Sequence, residues 1–164
     1  MDDEPRWLTP EQLDQWVHFV AVLTTVPAVV ADQLKRDADL NFFEYHVLAR
    51  LSGAPGRALQ MAVLADVTHG SQSRLSHAVR RLESAGWVTR RSCATASRAV
   101  EAVLTDAGFE KLRRAAPGHV AEARRVLVDA LTPEELAQLR HLSRKVLAAA
   151  APEVLEIVDD LLSR

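Results

Sequence analysis

Ser71-Gln-Ser-Arg-Leu-Ser-His-Ala-Val-Arg-Arg-Leu-Glu83, closed by Gly86 and followed by Trp87-Val-Thr-Arg-Arg91, is the stretch on which the fold of this 164-residue chain turns. Ser71 is a strong helix opener, and Leu75, Val79 and Leu82 recur at the spacing that places side chains on one side of a helix. The other side carries Ser73, Ser76, His77 and Arg80, with Arg74 and Arg81 flanking it. After Gly86 the period changes from helical to alternating. Trp87–Arg91 and Ala99–Leu104 read as two strands around a polar tip, Ser92 to Arg98.

Upstream, Met61–Val67 reads as a short helix and Thr68-His69-Gly70 as a turn. Two short helices joined by a glycine-bearing turn form a helix-turn-helix, and a hairpin directly after it makes a winged helix. Arg57–Gln60 is a short extended piece. A helix is expected from Asn41 to Leu51, with Phe43, Val47, Leu48 and Leu51 inward, ended by Gly53-Ala-Pro-Gly56.

The flanks are helical. Thr9-Pro10-Glu11-Gln12 has a capping residue, a proline suited to the first helical position and a capping-box glutamine. Leu13, Trp16, Val20, Leu23, Val30 and Leu34 then mark one apolar stripe reaching about Asp37, with a kink expected at Pro27. From Thr105 a helix is expected to run to about Leu131, bent at Pro117-Gly118. Thr132-Pro133-Glu134-Glu135 opens another, Pro152 interrupts it, and Val154–Leu162 is a last amphipathic segment. The predicted fold class is mostly α with a small β-wing, in a single domain over 1–164. A winged helix-turn-helix core (41–104) is flanked by N- and C-terminal dimerisation helices (9–40 and 105–164). The terminal stripes are wide and have little core of their own to cover, so a symmetric homodimer is expected to bury them.

Composition narrows the function classes. Hydrophobic residues make up 48% and charged residues 26%, ordinary for a soluble protein. No continuous run of 18 apolar residues suggests a membrane span, and Met1-Asp-Asp-Glu-Pro5 does not resemble a signal peptide, so a cytoplasmic location is expected. The single cysteine, Cys93, rules out an internal disulfide and a cysteine-based zinc site, and a redox role for it has little support. None of the six histidines sits in a metal-ligand pattern. Nucleophile-elbow, P-loop and dinucleotide motifs are missing too, so neither an enzyme nor a cofactor is indicated.

The net charge of −2 hides an asymmetry. Residues 1–16 carry five acids against Arg6, whereas residues 71–98 carry Arg74, Arg80, Arg81, Arg90, Arg91 and Arg98 against Glu83 alone. Hydroxyls, an imidazole and arginines on one helical face are the groups that bond base edges and phosphates in a major groove. The same pattern also suits an ordinary solvated basic face.

Asn41-Phe-Phe-Glu-Tyr-His-Val-Leu-Ala-Arg-Leu-Ser52, Ser71–Glu83, Gly86-Trp-Val-Thr-Arg90 and Ala102-Val-Leu-Thr-Asp-Ala-Gly108, in this order and spacing, resemble the MarR (multiple antibiotic resistance regulator) family of transcriptional regulators. Ala116-Pro-Gly-His-Val120 and Ala130-Leu-Thr-Pro-Glu-Glu135 extend the resemblance, as in actinobacterial members, over about residues 8 to 150. It implies a homodimeric, ligand-responsive repressor that binds a palindromic double-stranded DNA operator. Ser71, Gln72, Ser73, Arg74, Ser76 and His77 would then meet bases and phosphates and Arg98 the minor groove; Arg80, expected on phosphates, and Arg81 are counted with the DNA-binding residues. The family's usual wing aspartate is replaced by Ala96. A small aromatic or anionic effector is implied as well, with Trp16, Tyr45, His46 and Arg50 as pocket candidates. The alternative reading is a winged-helix protein-interaction module with weak DNA binding.

Overall fold

The computed structural model describes residues 5–92 and 99–163. In chain order its elements are α1 (Pro10–Ala38), α2 (Phe42–Gly53), a 3-10 turn (Pro55–Arg57), β1 (Ala58–Gln60), α3 (Met61–Val67) and α4 (Gln72–Ser84). They continue with β2 (Val88–Ser92), β3 (Val100–Leu104), α5 (Asp106–Ala123), a π-helical turn (Arg124–Val128), α6 (Pro133–Ala150) and α7 (Pro152–Leu162).

Local chemistry explains where the helices begin. Thr9 with Gln12, Asn41 with Glu44 and Thr132 with Glu135 form complete capping boxes, each side chain satisfying a backbone N–H that has no partner inside its helix. Ser71 and Thr105 accept the third N–H of α4 and α5 in the same way. The extended piece before α3 becomes a third strand: β1 pairs with β3 (Leu59 opposite Ala102), and β3 pairs with β2 (Arg90 opposite Ala102), all antiparallel.

One apolar core fills the space between the C-terminal half of α1, α2 to α4, the sheet and α5. Leu34, Leu40, Val47, Leu48, Leu51, Leu64, Leu75 and Val79 are fully buried in it. The terminal helices differ sharply. Neither α6 nor α7 has a buried residue, and Leu13, Trp16, Val17, Phe19, Val22 and Leu23 of α1 lie exposed.

Two helices carry an internal proline and remain unbroken. α1 continues through Pro27, and α5 through Pro117-Gly118, without interruption. At Pro117-Gly118 α5 crosses α1, where a Cβ on Gly118 would lie 2.9 Å from Gln33 Nε2. α5 also gives way to the π turn at Arg124, short of the expected end near Leu131. α1 corrects the membrane reading as well: its mean hydropathy reaches 1.5 over 18 residues, enough by length and composition to cross a bilayer. Its Asp, Glu, Lys and Arg residues cluster near its ends, but His18, Thr24, Thr25 and Pro27 break the middle, so no continuous apolar run reveals this. In the fold, Val30, Gln33, Leu34 and Ala38 of that helix are buried in the core.

Candidate nucleic-acid interface

The helix-turn-helix is built around a tight turn. The Thr68 hydroxyl donates to Leu64 O at 2.6 Å, His69 adopts a left-handed backbone (φ 50°), and α4 starts at once from Ser71. Gly70 is required by its neighbour, since a Cβ there would lie 2.4 Å from Cζ of the Phe43 ring. The turn is therefore pressed directly onto the start of α2.

Leu75, Ala78, Val79 and Leu82 root α4 in the core. Burying them turns Gln72, Ser73, Arg74, His77, Arg80 and Arg81 outward, with Ser76 half-buried. Ser71 is exposed too, but its Oγ already accepts the Arg74 N–H at 3.2 Å, so its hydroxyl proton is what it has left to offer. One helical face thus collects every candidate reading residue between 71 and 81.

The arginines do not share one environment. Arg74 lies over the Phe43 ring, its guanidinium carbon 4.3 Å from the centroid. Arg81 Nε is 2.8 Å from Glu44 Oε1, and Glu44 is only 2% exposed. Arg90 pairs with Glu83 at 2.9 Å and Arg91 with Glu101 at 2.9 Å. Arg80 alone among these five has neither an ion pair nor a ring contact among the described residues. The wing candidates Arg98 and Ala96, with Cys93, lie outside the described residues.

Sequence reasoning missed Phe43 as a support, Glu44 and His119. Phe43 was readable only as core. Glu44 had one local signal, its place three residues after the capping residue Asn41, but nothing in the sequence ties it to Arg81.

The effector candidates separate. Tyr45 and His46 lie in one aromatic cluster with Phe42 and His119. The His119 ring is 4.3 Å from Tyr45 and the Phe42 ring 4.2 Å from His46, centroid to centroid. Trp16 is elsewhere, paired with Phe19 on the exposed part of α1. Arg50 lines a cavity of about 340 Å³ with Leu59, Val63, Val67, Ile157 and Leu161. Burial lowers the pKa of His46, with the Arg50, His119 and His69 charges adding to it, and burial lowers that of His119. Gln33 Oε1 and His119 Nδ1 are buried near the crossing of α1 and α5 with no hydrogen-bond partner among the described residues. Among those residues no group of three or more His, Cys, Asp or Glu could hold a metal ion.

Comparison with known proteins agrees with this architecture. A sequence profile described as MarR family matches residues 38–99. Sco3205, a MarR family transcriptional regulator from Streptomyces coelicolor solved in complex with DNA, is 42% identical. It superposes with a TM-score of 0.86 over 92% of this chain and 94% of that one. AbsC, a MarR family transcriptional regulator from the same organism, is 34% identical with a TM-score of 0.81, over 98% of this chain and 100% of that one. A MarR mutant from E. coli, complexed with operator DNA, shares the fold at 24% identity and a TM-score of 0.70, over 82% of this chain and 93% of that one. A comparison with curated protein sequences gives no significant match.

Proposed function

The chain belongs to the MarR family, and on that premise we propose that it is a transcriptional regulator that reads a palindromic operator in double-stranded DNA as a homodimer. The observation that carries this is the outer face of α4. It presents Gln72, Ser73, Arg74, His77 and Arg80 to solvent from a helix that its apolar face and its N-cap hold rigidly. Such a helix fits a major groove, where amide, hydroxyl and guanidinium groups discriminate base edges.

The dimer is supported by the exposed apolar residues of α1 and by Leu139, Leu142 and Val146 of α6. A second copy related by a two-fold axis would cover both sets at once. A small aromatic or anionic effector finds its best support at the crossing of α1 and α5. There Gln33 Oε1, and His119 Nδ1 in the Tyr45–His46 cluster, are buried without partners among the described residues, and the amide oxygen would be satisfied by a donor such as a ring hydroxyl. Repression by occupying the operator, and its release by that effector, complete the reading, and the cytoplasm is the compartment where such DNA lies. No step of this scheme calls for an enzyme.

One observation favours the second reading, a protein-interaction module. Arg81, Arg90 and Arg91 are each already paired with a carboxylate, which trims the free positive charge. The deciding experiment is a mobility shift on duplexes selected from a random-sequence pool, repeated across salt concentrations. The expected result is a near-palindromic site with half-sites about 10 base pairs apart. Affinity falls steeply with salt, and Arg80→Ala makes the log–log slope shallower by about 0.9 per subunit. Recovery of no preferred duplex would remove the regulator reading and leave the interaction module.

A further inference from the structure

Glu44 is the charged residue that the DNA-reading scheme leaves unexplained. At 2% exposure its carboxylate has lost nearly all its water, and an ionised group in that position needs compensation. Oε2 accepts the Asn41 N–H at 3.0 Å and closes the capping box of α2, a task that a glutamine amide oxygen would perform equally well. Oε1 is buried with no hydrogen-bond donor aligned on it, and Arg81 Nε at 2.8 Å is its countercharge. The charge of Glu44 thus answers to Arg81 and not to the helix cap.

Arg81 itself is 64% exposed along its side chain. A guanidinium has five N–H donors, one on Nε and four on the terminal nitrogens. An ion pair on the Nε side leaves the terminal fork for an oxyanion, an arrangement that an ammonium on a flexible stem cannot reproduce. The preceding residue of α2 meets α4 as well: the Phe43 ring carries the Arg74 guanidinium and abuts Gly70. The first turn of α2 therefore grips the DNA-facing helix at two arginines seven positions apart, two turns along α4.

We propose that Glu44 is a positioning residue for DNA binding, holding Arg81 by Nε so that its terminal nitrogens meet a backbone phosphate beside α4. The proposal rests on α4 being the helix that enters DNA. Its physical basis is the conformational freedom of a long side chain, which is lost on binding unless the free protein has already restrained it. An opposing effect makes the test sharp. Glu44→Gln removes a negative charge near a polyanion, so charge alone predicts tighter binding, whereas positioning predicts weaker binding.

The experiment uses the full chain and a duplex that the parent protein has selected from a random pool, with affinity measured by fluorescence anisotropy over a salt series and folding by thermal melting. Glu44→Gln should weaken binding about threefold to tenfold while the protein stays folded. Arg81→Ala should weaken it at least as much and make the salt slope shallower by about 0.9 per subunit. In the double variant the Glu44 change should add nothing to the Arg81 change, a non-additivity that a purely structural role would not produce. Parent-like or tighter binding by Glu44→Gln, full additivity in the double variant, or an unchanged slope in Arg81→Ala would each overturn the proposal. Should Glu44→Gln not fold, Arg81→Lys decides: it keeps the charge and is expected to bind nearly as weakly as Arg81→Ala, and parent-like binding overturns the proposal. A parent that selects no duplex overturns the DNA-binding reading and this proposal together, an outcome distinct from failure of the positioning role alone.

Discussion

The winged region and the outer parts of the terminal helices (the first half of α1, with α6 and α7) are built from similar proportions of apolar residues and end in opposite states. Leu48, Leu51, Leu64 and Leu75 of the winged region are completely buried, while Leu139, Leu142 and Val146 of α6 and Leu13 and Trp16 of α1 face outward. Helical amphipathicity is present in both. What differs is the number of elements that converge on the apolar face. Around Leu48 the other winged-region helices, the sheet, α1 and α5 close from several directions, whereas α6 meets little beyond α7. An apolar stripe therefore does not by itself tell whether its cover comes from the same chain or from another.

Three measurements test that contrast, starting with the largest effect. Leu48→Ala should cost about 2–5 kcal/mol of subunit stability, because it empties space in a fully packed core. The loss, read from chemical unfolding, should be similar at every protein concentration; a loss below 1 kcal/mol would mean that the winged core is looser than its burial indicates. Leu142→Asp should act instead through the proposed dimer. Burying a leucine contributes about 1.5–3 kcal/mol, and a two-fold axis counts the position twice, so dimer dissociation should rise by more than about a hundredfold. Sedimentation should show a folded monomer at concentrations where the parent is a dimer. If the variant and the parent sediment alike, α6 is not the covering surface.

The smallest expected effect lies at the seam between the two regions, where His46 of α2 and His119 of α5 sit with Phe42 and Tyr45. Both imidazoles have pKa values lowered from 6.5, by burial first, so the unfolded chain takes up protons at a pH where the folded one does not. Their neutral form thus contributes stability that is present above pH 6.5 and lost as the pH falls below it toward the folded values. The carboxylates with lowered pKa, such as Glu110 at about 2 between Arg113 and Arg114, lose their contribution at lower pH, as it falls from the ordinary carboxylate value of 4.5 toward the folded one. Thermal melting between about pH 7.5 and 5.5 isolates the histidines. The melting temperature should fall across that window, and the variant His46→Asn/His119→Asn should flatten the curve. An equally steep curve in the double variant would assign the dependence to other groups.

Much of the winged region was legible because its signals are local. The 61–67 helix, the glycine turn, the helix opened by Ser71 and the two strands all appear within a residue or two of the places expected. Caps, turns and periodicity act over four residues or fewer, so reading them needs no knowledge of the rest of the chain. The face of α4 was legible for the same reason. The crossing of α5 over α1 at Gly118 was not, because nothing local to a glycine tells which helix will lie against it. The placement of Trp16 beside Phe19, away from Tyr45 and His46, was equally out of reach, since residues proposed for one pocket came from distant segments.

The division is clearest at the arginines. By itself the sequence determined that a cluster of them would stand on and around one amphipathic helix, because 3.6-residue periodicity leaves Arg74, Arg80 and Arg81 no place in the apolar stripe. Only the tertiary structure decided what each one does there. Arg81 is claimed by the buried Glu44, Arg74 by the ring of Phe43, Arg90 by Glu83 and Arg91 by Glu101, while the side chain of Arg80 stays without an ion pair among the described residues. The physical reason is that charge pairing depends on distance in space and on desolvation, and both are set by the packing of α2 against α4 and of one strand against the next.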